Sequence, residues 1–244
     1  FARQTPEQHG KTDLHEVFPG NRRGNLTQMI AAVLAEHVIE PADALIDYHC
    51  GGSGGRLQER VDVHRDADPA IRAKSLELAR AFGTVLIHDN ALAGTAVGCA
   101  NALGKVAFNA ETAGVYLAPV DQDGYIKRGV DGFRSVMCSL GMIQSGTLDA
   151  KRQLVFSPKA RHEANPQNGG YLISHFQSAS QLGKPVKKGT LLGTMIDIHT
   201  LQVAEELRAP VDGLLVFSRY SGAVDAGTKS FALAETDQSE WLEP

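Results

Sequence analysis

The chain has 244 residues, 43% of them hydrophobic and 21% charged, and a formal net charge of -4 at pH 7. It is long enough to bury a substantial core in one domain or two; its Lys and Arg form no basic stripe, which argues against nucleic acid as a partner, and no apolar run approaches the ~20 residues of a membrane span. Three widely spaced cysteines, Cys50, Cys99 and Cys138, make no disulfide framework, which fits a reducing cytoplasm.

Residues 1–24 are polar and punctuated by Pro6, Gly10, Pro19, Gly20 and Gly24, and read as loop. Leu26, Met29, Ile30, Val33, Leu34 and Val38 then recur at helical spacing, which predicts an amphipathic helix from about Asn25 to Glu40, stopped by Pro41. Ala44-Leu45-Ile46 runs straight into Asp47-Tyr48-His49-Cys50 and two glycines, the pattern of a short buried strand. Arg56 to His64 alternates weakly and reads as a second strand. Asp68-Pro69 marks a helix start, with Asp as N-cap and Pro at the first helical position, and that helix ends at Gly83. Thr84–His88 and Lys105–Ala110 read as further buried strands, with a partly helical small-residue stretch between them. Asp131 reads as the start of a third helix, closed by Ser145-Gly146. Strands alternating with helices predict an α/β layer with a mostly parallel sheet and flanking helices over residues 1–150.

Beyond residue 150 the helical period disappears and short β-like runs alternate with glycine turns. Val186-Lys-Lys-Gly189-Thr190 is echoed by Val224-Asp-Ala-Gly227-Thr228, and Gly170-Tyr-Leu-Ile173 by Gly213-Leu-Leu-Val216. Two such halves packed together predict a small β-sandwich over residues 151–244, which resembles biotinyl and lipoyl carrier domains. A carrier needs a lysine on the hairpin between its halves, and Met195 to Arg208 contains none. This half therefore reads as a cap or wall for the first.

The chemistry concentrates at two strand ends. Side chains i and i+2 share a face of a strand, so Asp47 and His49 point the same way, at the end where open α/β sheets place ligands. A histidine with a carboxylate beside it suits a metal ligand and its hydrogen-bonded partner; a histidine capping the strand through ordinary hydrogen bonds is the plainer reading. Glu111 ends the 105–110 strand before Thr112-Ala113-Gly114, where a carboxylate could act as general base, or simply as an N-cap or a solvated charge.

In order along the chain stand Phe18-Pro19-Gly20, Gly24-Asn-Leu26-Thr27, Asp47-Tyr-His49, Glu111-Thr-Ala-Gly114 and Ala209-Pro-Val-Asp-Gly213. This set resembles the succinylglutamate desuccinylase/aspartoacylase family, relatives of the zinc carboxypeptidases. The resemblance implies a carboxypeptidase-like α/β domain with a C-terminal β domain, and hydrolysis of the amide of a small N-acylated amino acid or related compound. It implies Zn2+ as cofactor, with His49 as a ligand, Asp47 behind it and Glu111 as general base and acid. Zinc lowers the pKa of bound water toward neutrality and polarises the scissile carbonyl; the glutamate moves the proton from that water to the leaving amine.

Two departures follow. The family's other two ligands come from a His-x-x-Glu pair upstream of the Phe-Pro-Gly segment; here His9 and His15 are followed three residues later by Thr12 and Phe18. With Phe1 in place of an initiator methionine, an absent amino-terminal segment is expected, and weak zinc binding with it; His64, His88 and Cys50 are the substitute ligands within the chain, each more simply read as a packed side chain. Second, the family's Asn-Arg, which grips a substrate carboxylate, is His15-Glu16 here. Arginine forks onto carboxylates, whereas glutamate repels them. Either the substrate carries a cationic group facing Glu16, or Arg3, Arg22 or Arg23 supplies the clamp. The rival readings are an inactive homologue acting as a binding or regulatory protein, and a carboxypeptidase-like peptidase. A homo-oligomer is left open.

Overall fold

The computed structural model describes residues 13–52, 54–114 and 119–244. A 3-10 turn, Leu14–Glu16, precedes α1 (Leu26–Leu34), which continues as a π-helical turn, Ala35–Ile39. Asn25 caps α1 in a reciprocal box with Gln28: each side chain accepts the other's backbone N–H, at 2.9 and 3.1 Å. Gly20, in the left-handed region at φ +83°, lies so close to the backbone of Gln28 and Ala32 that a side chain there would collide with α1, which is the physical content of the Phe-Pro-Gly turn.

Then come β1 (Ala44–Cys50), β2 (Gly55–Leu57), β3 (Arg60–His64), α2 (Pro69–Ala81), β4 (Leu86–Asn90), α3 (Ala96–Ala102), β5 (Val106–Thr112), α4 (Pro119–Ser139) and β6 (Gln153–Phe156). The rest is β: β7 (Arg161–Ala164), β8 (Gly170–Ser174), β9 (Pro185–Val186), β10 (Leu191–Ile196), β11 (Val203–Arg208), β12 (Gly213–Arg219), β13 (Gly222–Val224), β14 (Phe231–Glu235) and β15 (Glu240–Leu242).

The first sheet has the order β1-β5-β3-β4-β6-β15. The sheet is mixed: β1 and β5 are parallel to each other, β3, β4 and β6 are parallel to one another and run the other way, and β15 is antiparallel to β6, so the expected parallel pairing holds within each group and not between them. The reason is chain length. Only residues 51–59 separate β1 from β3, too few for the dozen-residue crossover that a parallel return requires. α2, in contrast, provides that crossover between β3 and its parallel neighbour β4.

One face of this sheet is apolar. Val61, Val63, Ile87, Phe108 and Ala110 pack there with Leu78, Ala79 and Phe82 of α2 and its C-cap and Val136 of α4. The other face is divided. Leu45 and Ala107 pack against α3 and the π-helical turn, while Leu86, Leu154 and Phe156 pack against Leu214, Val216, Ala232 and Ala234 of the C-terminal half. Between these two apolar blocks the sheet presents a polar band.

The C-terminal half forms a four-stranded sheet, β11-β10-β8-β13, and a five-stranded sheet, β2-β12-β14-β7 with β9 beside β12. Leu172, Leu192, Met195 and Leu207 of one share a core with Leu215, Phe231 and Leu233 of the other. The internal echo is visible in the turns: Thr190 N–H donates to Lys187 O at 3.0 Å and Thr228 N–H to Asp225 O at 3.2 Å. Sheet membership does not follow a cut at residue 150. β6 and β15 join the first sheet, and β2 leaves it to pair with β12.

Candidate active site

The parallel register of β1 and β5 sets His49 opposite Glu111 and Asp47 opposite Asn109. β3, antiparallel to β5, sets Arg60 opposite Glu111 and Asp62 opposite Asn109, and β4 continues that row with His88 opposite Asp62. Two polar rows therefore cross the sheet on one face: His49-Glu111-Arg60, and behind it Asp47-Asn109-Asp62-His88.

The contacts bind these rows together. His49 Nε2 lies 3.0 Å from Asp47 Oδ2, and this hydrogen bond, more than the opposing effect of burial, holds the imidazole's pKa above its ordinary value. Arg60 forks onto Asp62, with Nε to Oδ1 at 2.6 Å and Nη2 to Oδ2 at 3.3 Å, and its Nη2 also lies 3.5 Å from Glu111 Oε1. Burial pushes the Glu111 carboxyl pKa up, against the pull of Arg60 and His49. Burial would push Asp62 up too, but Arg60 and His88 reverse it and hold Asp62 below the usual carboxylate range. A buried carboxyl with raised proton affinity beside one held ionised is an arrangement that acid–base chemistry can use.

A cavity of about 530 Å³ adjoins the His49 end, lined among others by Asp13, His15, Phe18, Asp47, His49 and Cys50. The His15 ring meets that of His49 edge-on, with centroids 5.9 Å apart, and His15 Nδ1 lies 3.1 Å from Asp13 Oδ1. Glu16 is exposed, 3.7 Å from His15 Nε2. The strand ends close tightly. Gly114, three residues past Glu111, would drive a Cβ to within 2.5 Å of Gly55 O, so the two glycine-rich turns meet backbone to backbone.

The other candidates separate. Arg22 pairs with Glu36 of the π-helical turn in an exposed ion pair and is not among the residues lining the cavity. Arg23 is exposed and outside the cavity lining as well. Arg3 lies outside the described residues. His64 is buried and accepts the Leu92 N–H at 3.0 Å, so it is a packed side chain. His88 is buried, stacked on Phe156 at 4.5 Å. Cys50 lines the cavity. Among the described residues no group of three or more His, Cys, Asp and Glu could hold a metal ion. Among the described residues, His49 with Asp47 beside it is the donor pair at this end of the sheet that could contribute to a metal site. Arg60, Asp62 and Asn109 were not singled out in the sequence; the i, i+2 alternation of Arg60, Asp62 and His64 was the available signal.

No family model matches the sequence. The N-alpha-acetyl-L-2,4-diaminobutyric acid deacetylase of Halomonas elongata is 25% identical over 238 residues, covering 93% of this chain and 66% of that protein, so the chain spans slightly less than two thirds of this relative. The product-bound ectoine utilization protein EutE of Ruegeria pomeroyi superposes with a TM-score of 0.80 at 23% identity, over 92% of this chain and 68% of the other. A succinylglutamate desuccinylase/aspartoacylase of Rhodobacter sphaeroides gives 0.74 at 24%, over 92% and 68%. The fold is thus that of desuccinylase-type deacylases. In its ordered motifs and in its fold the chain is similar to proteins of the succinylglutamate desuccinylase/aspartoacylase family.

Proposed function

We propose that this protein hydrolyses the amide bond of a small N-acylated amino acid, that the substrate is an N-acetylated diamino acid, and that the enzyme depends on zinc. The observation that carries the reading is the pairing of His49 with Glu111 across β1 and β5. Glu111, with its proton affinity raised by burial, takes the proton of the attacking water and returns it to the leaving amine. Asp47 fixes the orientation of His49, and Arg60, locked by Asp62, holds Glu111 in place. His49 would be one ligand of zinc, which when bound would supply an acidified water and polarise the carbonyl.

The diamino acid rests on charge. Asp13 lines the His49 cavity, and Glu16 lies 3.7 Å from His15, which lines it too; carboxylates so placed would favour a second amine and disfavour a carboxylate. The Halomonas relative is named for such a substrate. The two C-terminal sheets serve as a wall of the site, a carrier-like sandwich put to a different use, in a cytoplasmic enzyme.

The test is a panel of N-acetylated diamino acids, N-acetylaspartate and succinylglutamate, assayed with zinc, with chelator, and with zinc restored. The reading expects diamino acid turnover that chelator abolishes and zinc restores. Preference for the acidic compounds overturns the substrate; turnover untouched by chelator overturns zinc; binding without any turnover marks a binding homologue instead.

A further inference from the structure

An N-acylated amino acid carries a free carboxylate, and the residues that should grip it are missing from the expected place: position 16 is a glutamate, and Arg22 is taken by Glu36. Arg60 and Lys229 lie in the electrostatic surroundings of Glu111, and Arg161 in those of Lys229. Arg60 is already forked onto Asp62 and leans on Glu111. Arg161, on β7, is paired with Glu163 at 2.8 Å. Lys229, on the loop between β13 and β14, makes no ion pair with any described residue. It is half-buried, and its Nζ sits 4.4 Å above the centre of the Phe217 ring.

That ammonium is held rather than loose. The ring fixes its head, and the Lys229 carbonyl accepts Arg219 Nε at 2.7 Å, which fixes the loop. The ring in turn is tied to the site. Phe217 of β12 stands opposite Leu57 of β2, and the Leu57 N–H donates to Ala113 O at 2.9 Å, two residues past Glu111. So the C-terminal wall carries, toward the strand end that bears Glu111, a cation with no ion-pair partner among the described residues. Burial, with Arg161 and Arg60 nearby, pushes its pKa down to about 8; a group so placed is still charged at neutral pH and gains from an anion.

The geometry points to Lys229 as the receptor for the substrate's carboxylate. This rests on the deacylase reading and extends it. The substrate would span the site with its second amine toward Asp13 and Glu16, its amide between His49 and Glu111, and its carboxylate on the C-terminal wall.

The test is calorimetric titration of the protein with an N-acetylated diamino acid and with its C-terminal carboxamide, which lacks the charge. Wild type is expected to bind the acid about tenfold or more tightly than the carboxamide, the scale of a charge-assisted hydrogen bond. K229Q and K229M are expected to lose that preference, and K229R to recover most of it. The methionine keeps apolar contact with Phe217, so it reports binding even if glutamine unsettles the loop. Preference retained in either folded variant, or absent from wild type, overturns the assignment. Preference that vanishes in the variants without hydrolysis by any form keeps the receptor and sinks the deacylase; hydrolysis with an unchanged preference does the reverse.

Discussion

His49 and Glu111 face each other across two adjacent parallel strands, partners in the register of β1 and β5. The arrangement follows from strand geometry: Asp47 and Asn109 pair two residues earlier, so the same face carries both rows. Glu111→Gln keeps the shape and removes the carboxyl that we propose carries the proton. We expect kcat to fall ~10²–10⁴-fold with little change in substrate affinity. The melting temperature should hold or rise, because burying an ionised Glu111 is a cost that the amide does not bear.

Asp62 is buried between Arg60 and His88. Asp62→Asn strands the Arg60 guanidinium and should cost about 3–5 kcal/mol by urea denaturation. The pH dependence has a definite sign. A carboxyl whose folded pKa is depressed contributes stability above its unfolded value, about 3.9, and loses that contribution as pH falls toward the folded one. The wild type should therefore lose stability on acidification below about pH 4 more steeply than the asparagine variant; identical acid limbs would contradict this.

Asp47 raises the pKa of His49 through their 3.0 Å contact. Asp47→Asn should bring the imidazole titration, followed by NMR, down toward its ordinary range. The stability supplied by the contact is fully present below the unfolded value of about 6.5 and is lost as pH rises through the folded one. An unmoved titration would show that the contact is not made in solution.

The α1 capping box predicts that Asn25→Ala costs about 1 kcal/mol, read as a shift in the urea midpoint with unchanged slope. The cost should be smaller for Asn25→Ser, which still offers a capping oxygen.

Local chemistry was readable where one residue decides it. Asn25, and Asp68 followed by Pro69, mark helix starts because their side chains satisfy the first free N–H groups. The helix expected to start at Asp131 is α4, and it begins at Pro119. Gly124, Gly129 and Gly132 masked it as loop, yet an added Cβ at Gly129 would strike Tyr48 and one at Gly132 would strike Phe82, so tight packing rather than propensity put glycine there. The segment from Arg56 to His64 reads in the sequence as one strand. It is two, β2 and β3, in different sheets. Nothing local announces that split, and with it went the sight of Arg60 and Asp62. Strand direction was lost for the same reason: register and polarity are set by long-range pairing.

The most direct measurement is the rate of acetate release from an N-acetylated diamino acid, with zinc, by wild type and E111Q under identical conditions. The account expects release by wild type and a loss of at least a hundredfold in the variant. Equal rates, or no release by wild type from any N-acyl amino acid, would contradict it.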